Sequence, residues 1–351
     1  MPTNKNASCF NLQTCVSINL VNLKTLFAQF QGKRVTIIGD IIVDAYLWGD
    51  VNRISPEAPV PVFDITSEAT GCGGAANVAQ NVVSLGGRAE LLGVIGEDGA
   101  GEKLRRMLAE RRIGSTGIYT DAQRPTSTKT RAIVGEKANN RQGHHLLRID
   151  KEAKHAISPK LRQQLLDAVT SRLTETDAIV FADYDKGVVS PELIRAVVQQ
   201  ASPLGIPIIA DPKRKNFWHY TGVTAITPNQ KEAGAAVKKK MRDERCLAAA
   251  GKEILERLSI SAVLLTRDEN GMTLFQRNCV AHLPPQSGAV VDVTGAGDTV
   301  TAVFALALSC KQRADIRSAA ELSNLAAGIV VGKMGCATVT PTELREAIET
   351  R

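Results

Sequence analysis

From about residue 33 the chain alternates short β-rich runs with amphipathic stretches, and that order admits few folds. RVTIIG (34–39) reads as a buried strand. GAANVAQNVVSLG (74–86) places apolar residues at 75, 78, 79, 82 and 85, the spacing of one helix face. AELLGVIG (89–96) is a strand again, and GEKLRRMLAERR (101–112) a helix. DAIVFAD (177–183), IPIIAD (206–211), VTAITP (223–228) and AVLLTR (262–267) are strand-like. Ser158-Pro159 and Ser190-Pro191 are helix starts, with Ser as N-cap and Pro in the first turn. Repeated β-then-α order predicts an α/β fold whose mainly parallel sheet is covered by helices on both faces. At 44% hydrophobic, the 351 residues can fill such a core.

One segment breaks the rhythm. VNRISPEAPVPVFDIT (51–66) carries three prolines, which exclude a central strand but suit edges and turns. With TSTKTRAIV and HHLLRID it reads as a small β sheet, a flap from about 44–70 and 125–150, projecting from a single domain over 21–351. Residues 1–20 read as a poorly ordered tail. Aromatics make up only 4% and basic residues are scattered, which argues against nucleic acid as a partner. The net charge of +7 reads as a basic surface that also favours polyanionic small molecules. No apolar run is long enough to span a membrane. The seven cysteines contain no C-x-x-C pair, and Cys72, Cys246, Cys279 and Cys310 read as reduced, buried thiols of a cytoplasmic protein.

Three motifs carry chemistry. In VVDVTGAGDT (290–299) a strand gives way to the tight turn Thr294-Gly295-Ala296-Gly297 and then to a helix. The free amides of that first turn favour a phosphate or a developing negative charge, and Asp298 is placed to meet an attacking hydroxyl. A plain Gly-rich turn with a capping Asp is the bland alternative. GCGGAANVAQNVVSLGG (71–87) satisfies a dinucleotide fingerprint, so a dehydrogenase must be weighed, but that fingerprint should open the first strand–helix unit and here it does not. Gly73, Gly74 and Asn77 could instead meet sugar hydroxyls. In TPNQKEAG (227–234), Asn229 and Glu232 share a helix face and could organise magnesium beside phosphates, or simply form a capping box. No P-loop string is present.

Taken in this order, Gly73-Gly74…Asn77, Asn229-x-x-Glu232 and Gly295-Ala296-Gly297-Asp298 resemble the ribokinase-like (PfkB) carbohydrate kinases. RISPEAPVPV, TRDENGM and AAGIVVGKMGCATVTPTEL look like the kinase half of heptose 7-phosphate kinase/adenylyltransferases, and the resemblance covers roughly residues 20–348. No H-x-G-H adenylyltransferase motif occurs, so the chain resembles a stand-alone kinase.

The resemblance implies a ribokinase-like fold, ATP and Mg²⁺ as cofactors with room for a monovalent cation, and a homodimer formed through the flap. It implies phosphorylation of heptose 7-phosphate at C1, with another sugar or sugar-phosphate kinase, or a non-catalytic nucleotide sensor, as alternatives. Asp298 maps to the catalytic base, and the amides of Ala296 and Gly297 to an anion hole. Asn229 and Glu232 map to the magnesium and phosphate network. Thr266, Arg267 and Gly271 map to the nucleotide side, with Asn324 near the adenine. On the acceptor side stand Asp44, Asp40, Gly73, Gly74, Asn77, Asp183 and Lys186, the last two at the end of a strand. A 7-phosphate needs fixed cations, for which Lys186, Arg148 and Arg53 are the candidates.

Overall fold

The computed structural model describes residues 20–135, 144–286, 288–310 and 315–351. The expected tail lies, apart from Leu20, outside the described residues. The main sheet holds β1 (Arg34–Gly39), β4 (Arg88–Gly96), β5 (Gly114–Asp121), β8 (Ala178–Ala182), β9 (Ile208–Asp211), β10 (Ala225–Ile226), β11 (Ala262–Thr266), β12 (Met272–Gln276) and β13 (Cys279–Leu283). Their order is β13-β12-β11-β10-β9-β8-β1-β4-β5. Pairing is parallel from β5 to β11 and antiparallel through the β11–β12–β13 edge. The central strands are near-continuous apolar runs because both faces are covered.

One face packs against α1 (Leu20–Ala28), α2 (Ala75–Ser84), α3 (Gly99–Glu110), α8 (Ala296–Leu308), α9 (Ile316–Val330) and α10 (Pro341–Glu349). The other packs against α4 (Pro159–Thr170), α5 (Pro191–Ala201), α6 (Gln230–Val237) and α7 (Glu244–Leu258). Ser158 and Ser190 cap α4 and α5, accepting from the backbone N–H groups of Leu161 and Leu193.

A second sheet, ordered β3-β2-β6-β7, is built from β2 (Ile41–Ile54), β3 (Pro61–Gly74), β6 (Ser127–Val134) and β7 (His144–Lys151). It is the flap. Strand β2 starts two residues after β1 ends, so the flap grows directly out of an interior strand of the main sheet. Gly71–Gly74, weighed from sequence as a dinucleotide fingerprint or as a contact to sugar hydroxyls, is the end of β3. Of the cysteines read as reduced, Cys72, Cys246 and Cys310 are free thiols, but Cys279 is disulfide-bonded, and Cys246 is only half-buried. Among the described residues no helix is long and apolar enough to cross a membrane.

Candidate active site

Five neighbouring parallel strands end on one side, and the residues just beyond their C-terminal ends form or support the site. These are Asp40 after β1, Asp183 and Tyr184 after β8, Lys213 after β9, Thr227 and Asn229 after β10, and Thr266 closing β11. The first turn of α8 faces them. Gly295 sits there at φ 82°, and a Cβ on it would lie 2.7 Å from the Asn77 amide nitrogen, so the turn needs glycine on both counts.

Asp298, in that first turn, is 4% exposed. Asn77 Nδ2 donates to its Oδ2 at 2.8 Å, and the Tyr184 hydroxyl donates to its Oδ1. Burial pushes its carboxyl up to about 6; the hydrogen bonds from Tyr184 and Asn77 and the charge of Lys213 pull it down, and Asp44 pushes it up. The amides of Gly297 and Asp298 have no acceptor among the described residues, whereas the Ala296 amide donates to Val293 O at 3.3 Å. The amides left open to an anion are therefore those of 297 and 298, not the expected 296 and 297. A base that must be ionised makes kcat/KM fall about tenfold per pH unit below about 6. A profile that stays flat down to pH 5 would remove Asp298 from that role.

Beside Asp298 lies a cavity of about 120 Å³ lined by Tyr184, Asp211, Lys213, Thr227, Asn229, Glu232, Thr266, Gly295 and Gly297. Asn229 and Glu232 do form a capping box on α6. Glu232 also reaches into the cavity, where its Oε1 accepts from Lys213 Nζ at 2.6 Å. Lys213 lies 3.3 Å from Asp211 Oδ2 as well. Burial lowers the Lys213 ammonium, but the two carboxylates outweigh it and hold the ammonium above its ordinary range. Burial raises the Asp211 carboxyl, with Lys213 opposing. The hollow sets one ammonium, Lys213, and two free helix amides among the carboxylates of Asp211, Glu232 and Asp298, and the amides and the ammonium are the groups a phosphate would meet. Among the described residues no group of three or more His, Cys, Asp or Glu could hold a metal ion. A larger open hollow of about 640 Å³ lies beyond it, between Lys238–Met241 and Arg267–Asn270, and Asp298 does not line it.

On the flap side Asp44 is 4% exposed and bonded by Arg131 Nη1 at 2.5 Å. Cys336 Sγ donates to its other oxygen at 3.1 Å. A Cβ on Gly73 would lie 2.2 Å from Asp44 Oδ2, so Gly73 serves to admit that carboxylate. Arg131 stacks on Tyr46, and Tyr46 on Trp48, which completes the wall.

Several expected residues are engaged elsewhere. Asp40 accepts from the backbone amides of Tyr184, Lys186 and Val188, and Asp183 from Asn216 and Tyr220. Both are buried struts of the 183–188 loop, not groups presented to a ligand. Gly74 is the N-cap position of α2. Arg267 turns away to Glu244 and Thr273, Gly271 at φ 71° closes the β11–β12 turn, and Asn324 donates to Pro284 O. Arg53 lies at the far end of β2 beside Asp64, and Arg148 makes two 2.9 Å bonds to Asp150. Lys186 is paired with Glu152 at 2.7 Å.

Three functional candidates escaped the sequence. Lys213 follows a strand C-terminus in DPKRK, the same signal that singled out Lys186. Tyr184 lies beside that lysine in DYDKG. Lys129 on β6 has no ion pair among the described residues, and its ammonium sits 5.2 Å from the Tyr184 ring centroid. Burial lowers the Lys129 ammonium, as do the like charges of Lys186, Arg131 and Arg148, with Asp44 opposing. Of these four cations, Lys186, Arg131 and Arg148 each have a carboxylate partner, and Lys129 has none among the described residues.

Comparison with known proteins gives a family and a fold. The model of the pfkB family carbohydrate kinases matches residues 33–343. The bifunctional protein HldE of Geobacter metallireducens is 41% identical over 324 residues, 92% of this chain and 64% of that protein. HldE of a Caulobacter species is 43% identical over 90% of this chain and 62% of its own length. The chain thus spans a little under two thirds of these relatives. Arabidopsis thaliana ribokinase, solved with ribose and ATP, superposes with a TM-score of 0.70 at 16% identity over 91% of this chain and 99% of its own. Escherichia coli phosphofructokinase-2, solved with substrates and products, gives 0.72 at 19% over 91% and 99%. These likenesses establish the ribokinase-like fold.

Proposed function

The chain belongs to the pfkB family of carbohydrate kinases, and on that premise we propose that it transfers the γ-phosphoryl group of ATP to the C1 hydroxyl of D-glycero-β-D-manno-heptose 7-phosphate, giving the 1,7-bisphosphate. The observation that carries the acceptor is Lys129, without an ion pair among the described residues, facing the crevice beside Lys186, Arg131 and Arg148. Neutral sugars need no such group of cations. The three segments resembling heptose 7-phosphate kinases support the same acceptor.

Phosphoryl transfer is mostly positioning and charge neutralisation. Asp44 holds acceptor hydroxyls while Arg131 and Cys336 fix its direction. Asp298 takes the C1 hydroxyl proton. The amides of Gly297 and Asp298, with Lys213, meet the charge that develops on the transferring group. Magnesium, when bound with ATP near Asn229 and Glu232, neutralises the phosphate oxygens. We place the enzyme in the cytoplasm as a homodimer formed through the flap. Among the described residues, six of the nine large apolar residues that are exposed lie on it: Ile54, Val60, Ile65, Leu146, Leu147 and Ile149.

The test is turnover with ATP and Mg²⁺ on ribose, fructose 1-phosphate, heptose and heptose 7-phosphate. Heptose 7-phosphate is expected to give the highest kcat/KM. Lys129→Ala should raise its KM about 10- to 100-fold, in line with the roughly 1.5–3 kcal/mol of a charge-assisted hydrogen bond. The KM for ATP should not move. An undiminished preference for heptose 7-phosphate over heptose in that variant would displace the phosphate from Lys129.

A further inference from the structure

Both oxygens of the base are occupied before any substrate arrives. Asn77 holds one, and Asn77 is itself fixed, because its carbonyl groups accept from Asn81 Nδ2 at 2.9 and 3.3 Å. The other belongs to Tyr184, whose hydroxyl donates to Asp298 Oδ1. Tyr184 stands on a loop pinned by Asp40, through the Tyr184 amide itself at 2.7 Å and the Lys186 and Val188 amides. Its ring lies between two ammonium groups, Lys129 at 5.2 Å from the acceptor side and Lys213 at 5.3 Å from the nucleotide side. The hydroxyl also borders the cavity that fits the phosphates.

We infer that the Tyr184 hydroxyl is a placeholder for the acceptor hydroxyl on Asp298, and that it keeps the base away from water until a sugar displaces it. The inference rests on Asp298 being the base. A kinase holding ATP with an exposed, ionised carboxylate invites hydrolysis. Water would lose a proton to Asp298 as its oxygen bonds to the γ-phosphorus, the bond to the bridging oxygen would break, and ADP and phosphate would leave. A tyrosine is suited to prevent this. Its neutral hydroxyl satisfies the carboxylate, and burial together with the charge of Asp298 raises its own ionisation well above the ordinary range, so it gives up no proton. Rotation about the Cα–Cβ bond carries the ring and its hydroxyl away together and frees the Asp298 oxygen for a better-placed donor. The acceptor must compete with this bond, so the bond costs acceptor affinity.

The test is Tyr184→Phe, which keeps the ring and both cation contacts and removes the hydroxyl alone. ATP hydrolysis without any sugar should rise at least about tenfold, corresponding to ~1.4 kcal/mol for one hydrogen bond lost from the competition. The KM for the sugar acceptor should fall by a similar factor while kcat changes less. A purely structural tyrosine would lower both activities together. Tyr184→Phe combined with Asp298→Asn should abolish the sugar-free hydrolysis. Unchanged sugar-free hydrolysis and unchanged acceptor KM in Tyr184→Phe overturn the inference. If instead the hydrolysis rises and persists in the double variant, water is not activated by Asp298 and the inference also fails. Activity of Asp298→Asn alone on the sugar separates these results from a failure of the base assignment.

Discussion

Asp298→Asn should lower kcat by about 10²–10⁴-fold, the usual loss of a general base, with ATP binding retained. The substitution preserves shape but not donor pattern. The new amide oxygen must face Tyr184, which leaves the new NH₂ against Asn77 Nδ2, now 2.8 Å from Asp298. Asn77 cannot turn freely to accept, because Asn81 already donates to its oxygens. A small loss of stability should therefore accompany the loss of turnover. On the proposed reading ATP is held by Lys213 and the amides of Gly297 and Asp298, which the change leaves in place. Calorimetry with a non-hydrolysable ATP analogue and Mg²⁺, beside steady-state kinetics, checks both halves. Near-normal kcat would mean that another group takes the proton.

The second large effect belongs to Arg131. Its guanidinium and the Asp44 carboxylate are about one-tenth exposed or less, and they touch at 2.5 Å. Replacing Arg131 with Met leaves Asp44 buried, with only a thiol donating to it. Breaking a buried pair in this way typically costs 3–5 kcal/mol, mostly the cost of the stranded charge. At about 2 °C per kcal/mol for a chain of this size, Tm should fall by roughly 6–10 °C. Removing the charge as well, with Asp44→Asn beside Arg131→Met, should restore part of that loss while sugar phosphorylation stays absent. If the double variant melts no higher than the single one, the stranded charge is not the cause.

Much of the frame was legible because it depends on local pattern. The apolar run of β1 and the Ser-Pro starts of α4 and α5 are strong signals over few residues. Strands β12 and β13 were missed because each has five residues and they are joined by a two-residue turn with no Asn-Gly or Asp-Gly signature. In the site, Asp298 and Asn77 stand in motifs and do meet. Asp40 and Asp183 lie where a strand-end carboxylate often faces a ligand, yet their side chains turn inward to loop amides and to Asn216 and Tyr220. Sequence order supplies the position of such a group but not its direction. Lys129 and Lys213 fail for the opposite reason. A lone lysine among 43 basic residues carries no mark of what three-dimensional packing will bring beside it.

The parallel pairing of β2 with β6 has a consequence for how the molecule assembles. Asp44 stands opposite Lys129 in that register, although β3, α2, β4, α3 and β5 intervene along the chain. No hairpin can make this pair. The β2–β3 hairpin forms locally, but it presents Asp44 without its arginine. The partner strand arrives only after the intervening units have docked, since closing a long loop must be compensated by contacts already made. Strand β7, exposed along its whole length, then completes the sheet. The wall that receives the sugar is thus a late product of folding, and it is the first part surrendered when the chain begins to open.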